Sequence, residues 1–309
     1  MRTLLVDADS HNGFPNLALM KISEWYKRLG HDVDLIQGIP STAPLSQDYD
    51  KVYISCIFLQ NKEKVLDYAA QFTIPVELGG SGLSLETKLH EPIEHMMPDY
   101  SLYGIDYSMG FTSRGCIRKC SFCVVPKKEG YICDHAPIEE FLHPDHKKLI
   151  LLDNNFQASP KWEENIQFII DKKLKVNVNQ GLDIRLMNEE FAGYLKKAKT
   201  FNRKFTKRSF HIAFDSPKLE RPFRKGMRTL LDAKITASNI MVYILCGHDT
   251  FHYEDKYRFD VVKEYGAIPF IMPYNQTEDQ WIRQFARWVN GRYYQFIPFE
   301  DYLDGVLIL

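Results

Sequence analysis

Apolar and polar positions alternate in short blocks over residues 1–83, and the period of the blocks changes in a regular order. Leu4 to Val6 has the length and apolar character of a buried strand, and Leu19, Ile22 and Tyr26 then recur at helical spacing up to Gly30. Further strands are predicted at residues 33–35, 52–54 and 74–78, and a second helix at residues 61–72. Strands that alternate with helices predict a parallel sheet with right-handed crossovers.

The same alternation resumes at residue 107. The predicted strands are residues 107–112, 149–152, 175–179, 209–214, 240–245 and 268–272, with helices between them. Six strand–helix units in succession predict a partial parallel barrel that is open on one side. We expect the last helix to begin with a capping box from Thr277 to Gln280 and to turn Trp281, Phe285 and Trp288 inward.

These blocks divide the chain into four parts. We predict an α/β fold in which a short Rossmann-like domain over residues 1–83 is followed by a connector over residues 84–106. The partial barrel then covers residues 107–290, and an aromatic-rich tail over residues 291–309 is expected to pack on it.

Composition and charge exclude several classes of protein. The chain has 309 residues, 45% apolar and 26% charged, with a formal net charge of −1, as in an ordinary globular protein. No overall charge favours nucleic acid or membrane, and we interpret the basic run over residues 196–208 as a solvated surface, with a phosphate or RNA patch as the alternative. No apolar stretch has membrane-spanning length, and the first residues predict a strand and not a signal peptide.

Three cysteines carry the clearest chemical signal. Cys116, Cys120 and Cys123 lie at i, i+4 and i+7 in one loop, and no fourth cysteine completes the set at similar spacing. Three thiolates can hold a [4Fe–4S] cluster and leave one iron open to another ligand. The alternative is a zinc site with Cys133 or His135 as the fourth ligand.

The other cysteines are scattered. Cys56, Cys133 and Cys246 stand singly, so we predict buried or half-buried structural thiols and no second cluster. Six cysteines with this distribution indicate a reducing compartment and no disulfide scaffold.

The cysteine loop has a family resemblance. From Gly110 it reads Gly-Phe-Thr-Ser-Arg-Gly-Cys-x-x-x-Cys-x-Phe-Cys, which resembles the cluster loop of radical S-adenosylmethionine (SAM) enzymes. The resemblance implies that Cys116, Cys120 and Cys123 ligate iron and that SAM binds the open iron. The resemblance further implies that one electron from the cluster cleaves SAM to a 5′-deoxyadenosyl radical and that Phe122 packs against the adenine. It also implies a partial (β/α)6 radical SAM barrel, a reductant such as flavodoxin or ferredoxin, and a cytoplasmic location.

Polar side chains follow the predicted barrel strands, where β/α barrels place their chemistry. The candidate SAM or substrate contacts are Asp153, Asn154, Gln180, Asp183, Arg185, Asp215 and Ser216. Asp153 and Asn154 could accept hydrogen bonds from the SAM ammonium, and the alternative is a turn chosen for its backbone. Arg185 could pair with the SAM carboxylate, and the alternative is an Asp183–Arg185 ion pair. The fifth and sixth strands end at Gly247-His248-Asp249 and Tyr274-Asn275-Gln276.

The first 83 residues resemble the cobalamin-binding domain that precedes many radical SAM cores. The resemblance lies in residues 14–19, residues 30–35 and the Gly79-Gly80 turn. The family's Asp-x-His-x-x-Gly loop is one residue short here, and the last strand and helix are missing. We therefore interpret His11 as a loop histidine and not a cobalt ligand, and we expect the domain to cover the barrel and not to bind cobalamin.

The chain as a whole resembles the cobalamin-binding-domain-type branch of radical SAM proteins, for which we infer no substrate. Three alternatives stay open: a cobalamin-dependent methyltransferase, a tRNA methylthiotransferase-like enzyme, and a non-catalytic metal-binding scaffold. The absence of a second cysteine trio and of an RNA-binding tail speaks against the methylthiotransferase.

Overall fold

The computed structural model describes residues 1–10, 13–45 and 48–305. The strands are β1 Arg2–Asp7, β2 Asp32–Gln37, β3 Lys51–Ser55, β4 Val76–Gly79, β5 Ser108–Gly110, β6 Ser113–Arg114, β7 Cys133–Asp134, β8 Lys148–Leu151, β9 Lys175–Val178, β10 Lys199–Thr200, β11 Phe210–Ala213, β12 Ile240–Cys246 and β13 Ile268–Pro273. The helices are α1 Leu17–Arg28, α2 Lys62–Ala69, α3 Glu91–Glu94, α4 Val125–Lys128, α5 Ile138–Phe141, α6 Trp162–Asp171, α7 Glu189–Lys197, α8 Glu220–Asp232, α9 His252–Glu264, α10 Gln280–Asn290 and α11 Phe299–Leu303. The predicted α/β class with mostly parallel sheets is confirmed.

Two details of the sequence prediction are wrong. The strand predicted over residues 107–112 is confined to β5, because the chain leaves the sheet and forms a separate short ladder at β6. Helix α10 is capped by Asp279, whose carboxylate accepts the Ile282 amide, and not by Thr277. Thr277 instead accepts the amide of Asp279 at its hydroxyl, so it shapes the turn that precedes the cap.

The chain forms two compact units. Unit 1 contains residues 1–112, 124–130 and 135–149, and unit 2 contains residues 113–123, 131–134 and 150–309, of which residues 150–305 are described. The division passes through β8, so it does not coincide with a single linker.

The sheet of unit 1 is parallel throughout, with the strand order β2-β1-β3-β4. β1 is a central strand because it pairs with β2 on one side and with β3 on the other, and its residues 3–7 are all buried. The chain crosses to opposite sides of β1 to form β2 and β3, so the order reverses between β1 and β3. In open parallel sheets, the carboxyl ends of strands at such a reversal form a crevice.

Alternate residues of β1 explain why both faces of this sheet are covered. Leu4 and Val6 point to one face, where they pack with Val65 and Tyr68 of α2. Leu5 points to the other face and packs with Leu19 and Ile22 of α1. A strand that is buried on both faces has a continuous apolar run instead of an alternating one, as residues 4–6 do.

Unit 2 contains two groups of parallel strands. β9 lies between β8 and β10 in the first group, and β11, β12 and β13 form the second group in that order. A single parallel bridge between Leu182 and Ile212 connects the two groups. The strands predicted from residue 149 onward are thus present, with the two-residue β10 as an addition that the sequence did not predict.

An aromatic cluster closes the outer side of unit 2. Phe285 and Trp288 of α10 are buried against Phe259 of α9 and Phe299 of α11, with ring centroids 5.1–5.6 Å apart. Trp281 stacks on Phe285. The predicted inward direction is confirmed for Phe285 and Trp288, which are buried. Trp281 is half-buried, so the prediction holds only in part for this ring.

Within the described parts of the chain, none of the helices combines the length and the apolar character needed to span a membrane.

Gly80 allows a close backbone approach in unit 1 that can be tested. Its φ is 98°, and a side-chain carbon there would overlap the Cys56 carbonyl. Gly80→Ala should lower the free energy of unfolding of unit 1 by about 2–4 kcal/mol, through backbone strain and overpacking together. Gly30→Ala is the matched control, because Gly30 has a φ of 78° and nothing within 4 Å of its added carbon. Urea unfolding of both variants measures this, and equal losses would contradict the overlap.

Candidate functional site

The cysteine loop of unit 2 begins at the end of β6, and its first residues are bound to the segment after β8. The buried Asp153 carboxylate accepts hydrogen bonds from the Ser113 amide and hydroxyl, both at 2.7 Å. Asn154 accepts the Gly115 amide at 3.0 Å. Gly115 has a φ of 79°, a conformation that glycine adopts without strain. Both strand-end residues therefore hold the start of the loop.

The three cysteines are half-buried, and none of them forms a disulfide. The Cys116 sulfur accepts the Arg118 amide at 3.3 Å and the Asn155 side-chain amide at 3.4 Å. The Cys123 amide donates to the Cys120 carbonyl, which makes a tight turn between them. These contacts give the loop a defined conformation, and two N–H groups point at the Cys116 sulfur.

Asp183 lies between two arginines beside this loop. Its carboxylate accepts Arg118 Nε at 2.9 Å and Arg185 Nε at 2.6 Å. Burial alone would raise the pKa of Asp183, but the hydrogen bonds from Arg185 and Arg118 hold it below its ordinary value. Burial opposes the positive charge of Arg185, yet Asp183 and, to a smaller extent, Cys120 raise its pKa. The trio carries a net charge of +1 next to the cysteines.

His248 connects the end of β12 with the cysteine loop. Its Nε2 lies 2.8 Å from the Ser121 hydroxyl, and its ring meets Phe122 edge-on with centroids 5.5 Å apart. Tyr274 packs on the same ring at 4.6 Å. The preceding Gly247 has a φ of 80°, and a side chain there would press against Ile282.

The remaining predicted site residues are Gln180, Ser216 and Asp215, and of these Asp215 feels the charges of Arg185 and Asp183. Gln180 is exposed, and Ser216 caps a short turn by accepting the Lys218 amide at 3.4 Å. Burial raises the pKa of Asp215 to about 6, an effect that the positive charge of Arg258 reduces. Asp215 is therefore a carboxyl group that changes charge near neutral pH at a strand end.

A buried ion pair at this edge was missed by the sequence reasoning. Arg258 and Asp255 of α9 are fully buried and paired with each other. The Arg258 guanidinium donates to the Phe214 and Leu245 carbonyls, both at 2.7 Å, and so joins the ends of β11 and β12. The available signal in the sequence was the i, i+3 spacing of the opposite charges Asp255 and Arg258.

The single cysteines differ from one another. Cys56 and Cys246 are buried as predicted, and burial raises the pKa of both thiols. The prediction is wrong for Cys133, which is exposed because it lies on the two-stranded β6–β7 ladder. In the described ranges, no group of three or more His, Cys, Asp or Glu side chains is arranged to hold a metal ion.

Unit 1 has its own polar strand end. The buried Asp9 carboxylate accepts the Phe58 amide at 3.4 Å and the Asn61 side chain at 2.6 Å, and it also bonds the Ile57 amide. Leu59 between these residues is exposed. The predicted loop role of His11 lies outside the described residues.

Neither the family models nor the curated proteins with which the chain was compared gave a match.

The Arg258–Asp255 pair can be tested by single and double substitution. Arg258→Met leaves the Asp255 carboxylate buried without its cation, so the free energy of unfolding should fall by about 3–5 kcal/mol. Arg258→Met with Asp255→Leu removes both charges and should recover part of that loss. Denaturant unfolding measures both, and a double variant less stable than the single one would contradict the ion-pair argument.

Asp215 predicts a pH dependence of stability. The folded state holds this proton more tightly than the unfolded chain, whose aspartate pKa is near 3.8. The folded state therefore binds more protons between about pH 4 and pH 6, and stability should fall as pH rises through that window by up to about 3 kcal/mol. Asp215→Asn should remove this component. Unfolding of both proteins across the window measures it, and an unchanged profile in the variant would assign the titration elsewhere.

Proposed function

We propose that this chain is a radical SAM enzyme whose [4Fe–4S] cluster is held by Cys116, Cys120 and Cys123. The observation that carries the proposal is the set of three half-buried thiols within eight residues, with N–H donors directed at Cys116. Hydrogen bonds to sulfur are one of the means by which proteins adjust iron–sulfur clusters.

The donor set fits a cluster better than a single ion. The ligands of one tetrahedral zinc lie about 2.3 Å from the metal and must converge closely. In a cluster, each thiolate binds a different iron, so the cysteines need only surround the group. The loop has three thiols and no fourth, so one iron of a [4Fe–4S] cluster would keep a free position, as the proposed reaction requires.

When bound and reduced by an external donor, such a cluster would supply the one electron needed to cleave SAM to methionine and a 5′-deoxyadenosyl radical. The chain's own residues would bind and orient SAM. The positive trio of Arg118, Asp183 and Arg185 offers guanidinium donors to the SAM carboxylate, since arginine matches carboxylate geometry. Phe122 and His248 offer aromatic faces and edges to the adenine.

Asp153 and Asn154 have a different proposed role from direct SAM contact. Because their oxygens accept from Ser113 and Gly115, they would position the cysteine loop. Asp215 would then face the substrate side of the site, where a carboxyl group that titrates near pH 6 can accept or donate a proton.

The proposal extends to the architecture and the partners. We infer that a partial radical SAM barrel covers residues 107–290 and includes β8, β9, β11, β12 and β13, and that the bridge between Leu182 and Ile212 joins its two groups of strands. A reductant such as flavodoxin or ferredoxin would supply the electron, and an oxygen-sensitive cluster fits the cytoplasm.

The cluster can be tested directly. Anaerobically reconstituted protein should hold about four irons per chain, with broad visible absorption. Replacing Cys116, Cys120 and Cys123 together with alanine should abolish both, because no thiolate ligand remains in the loop. Cys133→Ala is the matched control, since it removes an exposed cysteine outside the trio. Reduced, cluster-loaded protein should release 5′-deoxyadenosine from SAM.

Two results would count against the proposal. If the protein contained one zinc per chain and showed no visible absorption, the cysteines would hold a structural zinc ion and not a cluster. If the reduced protein held a full cluster but did not cleave SAM, the chain would be a non-catalytic metal-binding scaffold.

A further inference from the structure

Six exposed lysines lie at one edge of unit 2, and we name them the lysine edge. Lys172, Lys173 and Lys175 follow α6, and Lys196, Lys197 and Lys199 end α7 and begin β10. Lys175 and Lys199 are the first residues of adjacent parallel strands and are partners in the β9–β10 register. Adjacent strands are about 4.8 Å apart, so these two positions stand side by side.

The arrangement concentrates like charge, although the exposed Asp171 directly precedes Lys172. Between residues 171 and 208 there are eleven Lys or Arg and four Asp or Glu, whereas the whole chain has a net charge of −1. Two ammonium groups held side by side repel each other. An anion that binds between Lys175 and Lys199 would relieve this repulsion.

The lysine side chains contact rings and a carbonyl. Lys175 lies over the Phe201 ring at 5.2 Å and Lys197 over the Tyr194 ring at 5.6 Å, while Lys196 donates to the Lys234 carbonyl. In the described residues, no ion pair with a carboxylate engages any member of the lysine edge. The cations are thus held in place by neutral groups and keep their charge available to an anion.

The geometry points to a partner with regularly repeated negative charge: we propose that the lysine edge binds the phosphate backbone of double-helical nucleic acid. Single strands are bound largely by stacking of bases on free aromatic faces. Here Tyr194 and Phe201 already lie under cations. Lysines act as point charges on phosphates and give affinity without reading the sequence of bases.

The lysine edge is separate from the cysteine site. Lys175 begins β9, whereas the polar site residues follow the other end of that strand. Four residues of strand span about 13 Å, so a duplex on the lysine edge would be tethered and not held at the cysteines. The inference therefore does not depend on the proposed function.

Binding of labelled RNA and DNA duplexes to the full chain, followed by fluorescence anisotropy at several salt concentrations, tests the proposal. Both duplexes should bind more weakly as salt rises. Lys172→Gln, Lys175→Gln and Lys199→Gln together should weaken binding at least about tenfold and reduce the salt slope by about 1 for each phosphate that the variant no longer neutralises. Tighter binding of one duplex identifies RNA or DNA as the source of the phosphates.

A matched control separates this surface from general electrostatics. Lys64→Gln, Lys88→Gln and Lys225→Gln remove the same charge from exposed lysines elsewhere and should leave affinity unchanged. Equal weakening in the control, or no duplex binding by the unmodified chain, would overturn the proposal. Competition by polyglutamate as strong as that by duplex would assign the surface to an acidic protein, and preference for a single strand would exclude a duplex.

Discussion

A buried carboxylate ties the cysteine loop to the sheet of unit 2, and the site depends on it. Asp153 follows the apolar strand β8 and has no access to solvent. A buried charge is costly unless donors satisfy it, and Ser113 provides two such donors. Ser113 is the first residue of β6, and β6 leads into the cysteine loop, so the strand from which the loop begins is held in place. The contacts farther along the loop, including those to the Cys116 sulfur, depend on this fixed position.

Buried charge recurs at the carboxyl ends of the strands in unit 2. Arg258 joins β11 to β12 through backbone carbonyls, and Asp183 holds two arginines at the end of β9. Such pairs are weak sources of net stability but impose geometry, because any displacement leaves a charge unpaired. The same ends that carry the candidate chemistry are thus held by paired charges.

The two ends of the parallel strands have different charge patterns. Acidic and basic groups pair at the carboxyl ends, whereas lysines predominate where β9 and β10 begin. In a parallel sheet, all strands present the same end at the same edge, so a local sequence bias becomes an extended surface. This property explains how a chain with almost no net charge can have one strongly basic edge.

The sequence by itself determined the α/β class, the positions of most strands and helices, and the strand ends that carry polar residues. These features depend on burial along a single element, which periodicity records directly. Only the tertiary structure decided the direction of the Asp153 carboxylate, the side-by-side placement of Lys175 and Lys199, and the bracing of two strand ends by Arg258. Each of these depends on a partner that is distant in the chain, and local periodicity contains no information about which distant groups meet. The short β10, the exposure of Cys133 and the Asp279 cap were missed for the same reason, because neighbouring strands and turns override local preference.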